Sequence, residues 1–360
     1  MAVTATEPAT VAPVGTAAPR VTAIVLAHRS EPLLERAVTS IIHSWGVDVD
    51  VVVVDNGCTD GGVDRIASLP NVRVERPERN LGFAEGCNRG AADAKGDLLA
   101  FVNSDAVVDP EALAHLARVA QRPDVGIASA SLRLADDPAL LNSAGNELHY
   151  LGFCWCGGLE HPAAEYAEER QVPAATGAAM MLRRETWDEL GGFAPEYFAY
   201  HEDTDLSLRC WQRGLAVVYV PDAIVVHRYG STRTATKMYL LERNRLITLL
   251  TTFEATTLLL LTPVLVAVEV GILGLAVREG WARSKVAGWW WLLRHRRWLE
   301  ERRRGVQATR QRRDRDLAPR LADRLPSEVV NIPPPAQAID RLFAAYWRRV
   351  VCRAMSTNSL

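Results

Sequence analysis

The sequence predicts an α/β domain with a mixed, mostly parallel sheet flanked by helices. Three observations carry that expectation. Apolar strands alternate with amphipathic helices from residue 20 to residue 134. The strands are apolar throughout, as strands covered on both faces are. Polar residues gather where those strands end, at His28-Arg29, Asp55-Asn56 and Asn103-Ser104-Asp105. Ligands of such sheets sit beyond the carboxyl ends of the strands.

The elements follow in order. Val21 to Leu26 is a β-branched run and reads as a buried strand. The next helix places Leu33, Leu34, Ala37, Val38, Ile41 and Ile42 on one face, with Pro32 in its first turn. Val51 to Val54 is a second apolar strand, ending in Asp55, and strand, helix and strand make a βαβ unit. Val72 to Val74 is a short strand. Ala84 to Lys95 is a helix of small residues ended by Gly96, and Leu98 to Val102 is another buried strand. Pro110 to Gln121 is a helix with Leu113, Leu116 and Val119 inward, and Val125 to Leu134 is a strand. Residues 135–200 are less regular and aromatic. Asp203 to Arg213 is a helix closed by Gly214. Ala216 to Val220 and Ile224 to Val226 are late strands that lead to His227. No internal repeat is visible.

Composition narrows the partners. Lys and Arg number 41 against 43 Asp and Glu, so no global field argues for nucleic acid. The basic charge is local, dense from Arg294 to Arg324. The six cysteines are scattered and form no disulfide framework. Cys154 and Cys156 have half the spacing of a zinc site, with no second pair to complete it. Residues 1–19 carry no apolar leader core and read as a disordered arm, which favours the cytoplasm.

Five constellations could carry chemistry. Asp55 can accept hydrogen bonds from a base or ribose, or close its strand as an Asx-turn. Gly82, Gly86 and Gly90 recur every four residues. That spacing admits close helix packing or the approach of backbone N–H groups to a phosphate. It is not the dinucleotide fingerprint. Asp105 can bind Mg²⁺ or Mn²⁺ when substrate phosphates and water supply the other oxygens, or can be structural. Glu202, Asp203 and Asp205 begin a helix, where acids suit the dipole. Clustered carboxylates also raise one another's pKa, and one can serve as a general base. His227 is structural or joins a metal site.

Order and spacing are stronger than any one signal. The runs VVVVDNGCTDGG (51–62), NLGFAEGCNRG (80–90), LLAFVNSDAVVDP (98–110), TGAAMMLRRETWDELGGF (176–193), YHEDTDLSLRCWQRG (200–214) and VVHRYGS (225–231) resemble the family-2 glycosyltransferases, in particular their rhamnosyltransferase-like branch. The resemblance covers residues 20–250 and implies a GT-A type nucleotide-binding domain there. It implies an inverting transfer of a sugar, rhamnose in this branch, from a nucleotide diphosphate-sugar. The acceptor would be a hydroxyl of a glycan or polyprenyl-linked molecule in cell-envelope polysaccharide synthesis. It also implies roles. Asp55, with the backbone of Ala27 and His28, holds the nucleoside, and Asn80, Gly82, Asn103 and Ser104 line the same nucleotide-sugar site. Asp105 binds the divalent metal with help from His227. Thr176 and Gly177 line the sugar and acceptor site, and Asp203 is the base, with Glu202 beside it. The chain departs from the family at two places. Asn103 stands where an Asp-x-Asp motif has its first acid, and Leu26 to Arg29 replaces the usual Thr-Tyr-Asn.

After residue 250 the character changes. Leu258 to Val277 is nearly all apolar and about as long as a bilayer-spanning helix, broken by Pro263 and Glu269. A carboxylate at mid-bilayer costs about 3 kcal/mol. The basic segment after Arg278 should stay cytoplasmic, so a single span would put the catalytic domain on the wrong side. An in-plane or re-entrant helix, or a hairpin with Trp289 to Leu293 in its second limb, avoids this. A buried helix of a soluble protein is the remaining reading. The expectation is an apolar, Trp-rich membrane-associated region at 251–300 on the cytoplasmic face, peripheral or partly embedded, and a charged helical tail at 301–360. The competing functions are a sugar nucleotidylyltransferase, whose Gly-rich loop is missing after the first strand, and a catalytically silent sugar-nucleotide-binding scaffold.

Overall fold

The computed structural model describes residues 17–228, 230, 234–326 and 334–357. Most of the expected arm, Tyr229 and Ser231 of the last run, and Pro333 lie outside the described residues.

The sheet begins with β1 (Arg20–Arg29), α1 (Leu34–Ile42), β2 (Asp48–Cys58), a short α2 (Gly62–Ile66), β3 (Val72–Glu75), α3 (Gly82–Ala92) and β4 (Leu98–Val102). β1 pairs in parallel with β2 and β4, and β2 with β3. Val51 to Val54 and Leu99 to Phe101 have no exposed surface, as two-sided coverage requires. β5 (Ala106–Val108) and α4 (Ala112–Ala120) lead to β6 (Val125–Leu134). The region the sequence left irregular holds β7 (Leu141–Ser143), a hairpin of β8 (Asn146–Leu148) and β9 (Cys154–Cys156), β10 (Arg170–Gln171), β11 (Ala179–Arg183) and α5 (Arg184–Leu190). Then come α6 (Glu202–Gln212) and β12 (Ala216–His227), one strand with an irregularity between Val220 and Ile224. The main sheet runs β10-β12-β6-β11-β4-β1-β2-β3, with β5 on β12 and β7 on β6. β11 lies antiparallel between β4 and β6, at the sheet's centre. Its start therefore lies at the edge where its parallel neighbours end.

Close packing explains two of the recurring glycines. A Cβ on Gly86 would fall 2.1 Å from Leu26, and one on Gly90 would fall 2.6 Å from Ile24. The phosphate reading fails at this helix. The N–H groups of Phe83 and Ala84 at its start both donate to Phe198 O. Helix α1 starts at Leu34 with Leu33 as its cap, so Pro32 precedes its first turn.

Helices cover the far end: α7 (Ala235–Thr252), α8 (Ala255–Glu279), α9 (Ala282–Arg294), α10 (Arg296–Ala308), α11 (Asp314–Leu317), α12 (Pro334–Tyr346) and α13 (Cys352–Thr357). α7 buries Glu242, Asn244 and Arg245, so its composition hides a core helix. α8 is the described helix long and apolar enough to cross a bilayer, and only 11% of its most apolar stretch is buried. That contradicts a soluble protein's core helix. Glu269 faces the protein: it accepts from Arg245, from Lys285 at 2.8 Å and from Trp289 Nε1 at 2.6 Å. Its expected mid-bilayer penalty does not arise in that environment. Glu269→Ala would leave Arg245 and Lys285, both nearly inaccessible, sharing Glu242 alone. The expected loss is about 3 kcal/mol in urea unfolding, because breaking a buried ion pair strands its charge.

Candidate active site

The polar strand ends meet along one edge. At the end of β1, Ala27 is buried, and His28 donates from Nδ1 to Asn56 O at 2.8 Å. The N–H of His28 donates to Glu31 Oε1 at 3.2 Å. Burial pushes the Glu31 carboxyl above its usual range, against hydrogen bonds from His28 and Ser104, and Asp105 lies close enough to raise it further. Sequence reasoning missed Glu31, although an acid just past the first strand was a usable signal.

Asp55 is used twice. Its Oδ1 accepts from the N–H groups of Gly57 and Cys58, which is the Asx-turn reading. Its Oδ2 takes Arg76 at 2.9 Å. Asn56, also missed, is 2% exposed and holds the next segment. Its Nδ2 donates to Asn80 Oδ1 at 2.8 Å, and its Oδ1 accepts from Leu81 N–H at 2.7 Å. Asn80 also accepts from Gly82 N–H. Gly82 has φ +75°, and a Cβ there would meet Phe198 at 2.5 Å.

Asp105 and His227 come together from β5 and β12, whose register sets Ala106 opposite His227. Asp105 Oδ1 lies 3.3 Å from His227 Nε2. On the other side of the ring, Nδ1 and Asn142 Oδ1 are 2.7 Å apart, a contact that orients the imidazole. Asn103 Nδ2 stands 3.4 Å from the same Nε2. Nothing in the sequence pointed to Asn142. Ser104 is buried beside them.

A short backbone path leads from this pair to the helix-start acids. Asn103 N–H donates to Ala178 O at 2.9 Å, and Gly177 N–H donates to Asp203 Oδ2 at 2.9 Å. Thr176 and Gly177 precede β11, which is why they reach this edge. The three acids are not equivalent. Asp205 has no exposed surface. Burial alone would raise its pKa, yet Arg302 and Arg209 hold it below its usual value. It is a structural anion, not a member of the reactive cluster. Asp203 is half-buried. Burial pushes it above its usual value, against hydrogen bonds from Gly177 and Thr204. Glu202 is driven well above its usual range, first by burial and then by the charge of Asp203, and its Oε2 has no partner among the described residues. Cys154 and Cys156 share a strand face beside Asp203 and are free thiols. Among the described residues no group of three His, Cys, Asp or Glu could hold a metal, so the zinc reading fails.

A family model described as glycosyltransferase-like family 2 matches residues 19–247. The chain belongs to that family. It is a glycosyltransferase, of class EC 2.4. The N-acetylglucosaminyl-diphospho-decaprenol L-rhamnosyltransferase of Mycobacterium tuberculosis is 29% identical over 233 residues, covering 57% of this chain and 74% of that protein. Two solved structures share the fold. GalNAc-T7, solved with UDP, GalNAc and Mn²⁺, has a TM-score of 0.54 and 18% identity, over 66% of this chain and 48% of its own. The mannosyltransferase PcManGT from Pyrobaculum calidifontis, solved with GDP-Man and Mn²⁺, has a TM-score of 0.50 and 20% identity, over 98% of this chain and 87% of its own. The fold is GT-A, as expected. Nothing favours the nucleotidylyltransferase or silent-scaffold readings.

The shifts yield a prediction. Burial and the charge of Asp203 both favour the neutral form of Glu202, and Gln is the near-isostere of that form. Glu202→Gln should keep kcat/KM within about threefold, whereas a second working carboxylate at Glu202 would cost 10²-fold or more. The acid limb of the pH profile should lie above the ordinary aspartate value of about 3.9, because the folded-state pKa of Asp203 is raised.

Proposed function

We propose that this glycosyltransferase moves a sugar, rhamnose in the reading of its branch, from a nucleotide diphosphate-sugar to a hydroxyl of a glycan or polyprenyl-linked acceptor, with inversion, in cell-envelope polysaccharide synthesis. The observation that carries the reading is the joining of two sets of groups by the backbone path through Ala178 and Gly177. One set is an anion-and-imidazole pair suited to a diphosphate's cation, and the other is a carboxylate of raised pKa. The rhamnosyltransferase of Mycobacterium tuberculosis, named for a diphospho-decaprenol acceptor, supports the acceptor class.

In this reading Ala27, His28 and Asp55 hold the nucleoside, with Asn80 and Gly82 setting the adjoining turn. Asn103 and Ser104 flank the diphosphate. Asp105 and His227 are the residues that would hold Mg²⁺ or Mn²⁺. They fit it: a carboxylate oxygen and an imidazole nitrogen stand 3.3 Å apart, near the roughly 3 Å between neighbouring donors on a small cation. The remaining positions fall to phosphate and water. When bound, the cation neutralises charge on the departing diphosphate. Asp203 accepts the proton of the acceptor hydroxyl as its oxygen bonds to the anomeric carbon and the bond to the diphosphate breaks, releasing nucleoside diphosphate. The Gly177 N–H fixes that carboxylate, and Thr176 and Gly177 line the sugar and acceptor site.

The catalytic unit is read as residues 20–250, with 251–300 facing the membrane and 301–360 as the tail. Contact with the cytoplasmic leaflet is supported by α8, whose outward face carries Leu259, Val266, Val270 and Val277, each more than half exposed. The in-plane form is favoured over a span, because its inward face is tied to the catalytic domain in the middle, to the tail at its start and to the turn into α9 at its end. Glu254 N–H donates to Asp314, Glu269 meets Arg245, and Trp281 Nε1 donates to Glu279 at the turn into α9. A hairpin limb is disfavoured, since α9 is tied to α7 through Lys285 to Glu242 and Trp291 to Arg243.

Two measurements test this. Nucleoside diphosphate release from a panel of nucleotide-sugars, with a polyprenyl diphosphate-linked acceptor, should occur with one donor and require Mg²⁺ or Mn²⁺. Asp105→Asn and His227→Ala should each raise the half-saturating metal concentration by roughly tenfold or more. Unchanged metal dependence in both would refute the site. Val266→Asp with Val270→Asp should abolish flotation with anionic vesicles while leaving turnover on a water-soluble acceptor intact. Undiminished flotation would remove α8 from the membrane contact.

A further inference from the structure

Apolar exposure on this molecule is not scattered. Fourteen large apolar side chains stand exposed among the described residues, and eleven of them lie after residue 254. Concentrated exposure of that kind marks an interaction surface. Five of the eleven belong to α8 and three to α9, within the region read as facing the membrane. The other three, Ile339, Leu342 and Val350, lie in the tail, and neither the transfer reaction nor the α8 contact makes use of them.

The tail helix is apolar on two opposite sides. α12 runs into α13 through one wider turn, Trp347–Val351. One side is packed. Ala344 and Val351 have no exposed surface, and Trp347 stacks on Tyr150 with 4.6 Å between ring centroids. Thr257 Oγ1 donates to Met355 Sδ at 3.5 Å. The other side carries Ile339, Leu342 and Val350, and Leu342 is 66% exposed. A helix apolar on all sides is ordinarily a covered one. Tyr346 follows Leu342 by one turn, and its Oη donates to Leu260 O at 2.8 Å. That bond brings the turn against the start of α8, where Leu259 is 74% exposed. The apolar exposure of α12 therefore adjoins that of α8.

Charge decides what covers it. From Pro334 to Thr357 the sequence has four arginines and one acid, Asp340. Asp340 is ion-paired with Arg324, and Arg348 with Asp323. Arg341 and Arg349 are exposed, and among the described residues neither has a carboxylate partner. Each is the chain neighbour of an exposed apolar side chain, Leu342 or Val350. A second copy of this face would bring like charges together. An anionic bilayer takes the apolar side chains at its headgroup boundary and the guanidinium groups at its phosphates.

We propose that α12 is a membrane-docking helix for an anionic lipid surface, continuing the contact of α8 into the tail. The proposal extends the membrane reading of α8 and rests on it for the orientation of the molecule. Docking there bears on the acceptor side of the site. Trp347 holds Tyr150 in the turn between β8 and β9, and Cys154 Sγ on β9 lies 3.4 Å from Thr204 Oγ1, next to Asp203.

Flotation of the full chain tests it, with vesicles of phosphatidylcholine alone or of phosphatidylcholine mixed with phosphatidylglycerol. Wild type is expected to partition onto the mixed vesicles roughly tenfold or more above the neutral ones. Ile339→Asp with Leu342→Asp should weaken the anionic partition by roughly tenfold or more. Arg341→Gln with Arg349→Gln should weaken it by roughly tenfold and leave the neutral partition unchanged. Both tail variants should keep the wild-type thermal midpoint and turnover on a water-soluble acceptor. Partition unchanged in both tail variants but lost in Val266→Asp with Val270→Asp overturns the docking role of α12 and leaves that of α8 standing. Loss in both tail variants with none in the α8 variant supports α12 and removes α8. Partition unchanged in all three removes both. Equal wild-type partition onto the two vesicle types, or a loss confined to the aspartate pair, overturns the anionic surface. A lipid-free dimer in sedimentation that the aspartate pair converts to monomer assigns this face to a second copy and overturns the proposal.

Discussion

Asp205 has no contact with solvent, yet it accepts from Tyr197 Oη at 3.1 Å, from Arg209 and from Arg302. A buried carboxylate is tolerated only when such partners surround it. This one joins three separate parts of the chain. Tyr197 precedes the loop that enters α6, Arg209 lies one turn along that helix, and Arg302 comes from α10 beyond the family match. The start of α6 is thereby held to the loop before it and to α10, and the carboxylate of Asp203 stands where Gly177, just before β11, donates to it. The loop before it bears an unusual backbone, with positive φ at Phe198, Tyr200 and His201. Such conformations persist where neighbours over-determine them. Here Asn244 donates to Tyr197, Ala199 and Tyr200 carbonyls, and Arg243 donates to those of Glu196 and Tyr197.

The helices after residue 250 therefore belong to the architecture of the site as well as to any surface they face. Arg245 links Glu242 and Glu269 and donates to Leu151 O. The inward side of α8 is thus bonded to the loop between β8 and β9, and so to the strand that carries Cys154 and Cys156 beside Asp203. Arg303 and Gln307 take up the carbonyls that end α7. A tail that read as a charged appendage is a cap for two helices.

Much of the first half was legible because its strands are apolar on both faces and its helices are one-sided. The candidate site residues at strand ends stood out for the same reason, since polarity there breaks the local pattern. Legibility failed where long-range pairing set the structure. β11 reads as part of an irregular stretch because nothing local says that Ala179 to Arg183 inserts antiparallel between β4 and β6. Asn142 and Arg302 act across long sequence separations and leave no local signature. The three acids at the start of α6 looked alike in sequence, and the approach of Arg302 and Arg209 separates Asp205 from Asp203. Helix α7 was hidden by the opposite effect, because its buried face is polar and paired. The glycines of α3 were ambiguous until the start of that helix proved to be closed by Phe198 O.

The central claim is that Asp203 is the proton acceptor and the neighbouring groups serve to place it. Its most direct test is Asp203→Asn, with donor affinity by calorimetry and transfer by nucleoside diphosphate release measured on the same preparation. The account predicts donor affinity within about threefold of wild type and a fall in kcat of roughly 10²-fold or more. Transfer at near wild-type rate would contradict it and return Asp203 to the role of a helix cap.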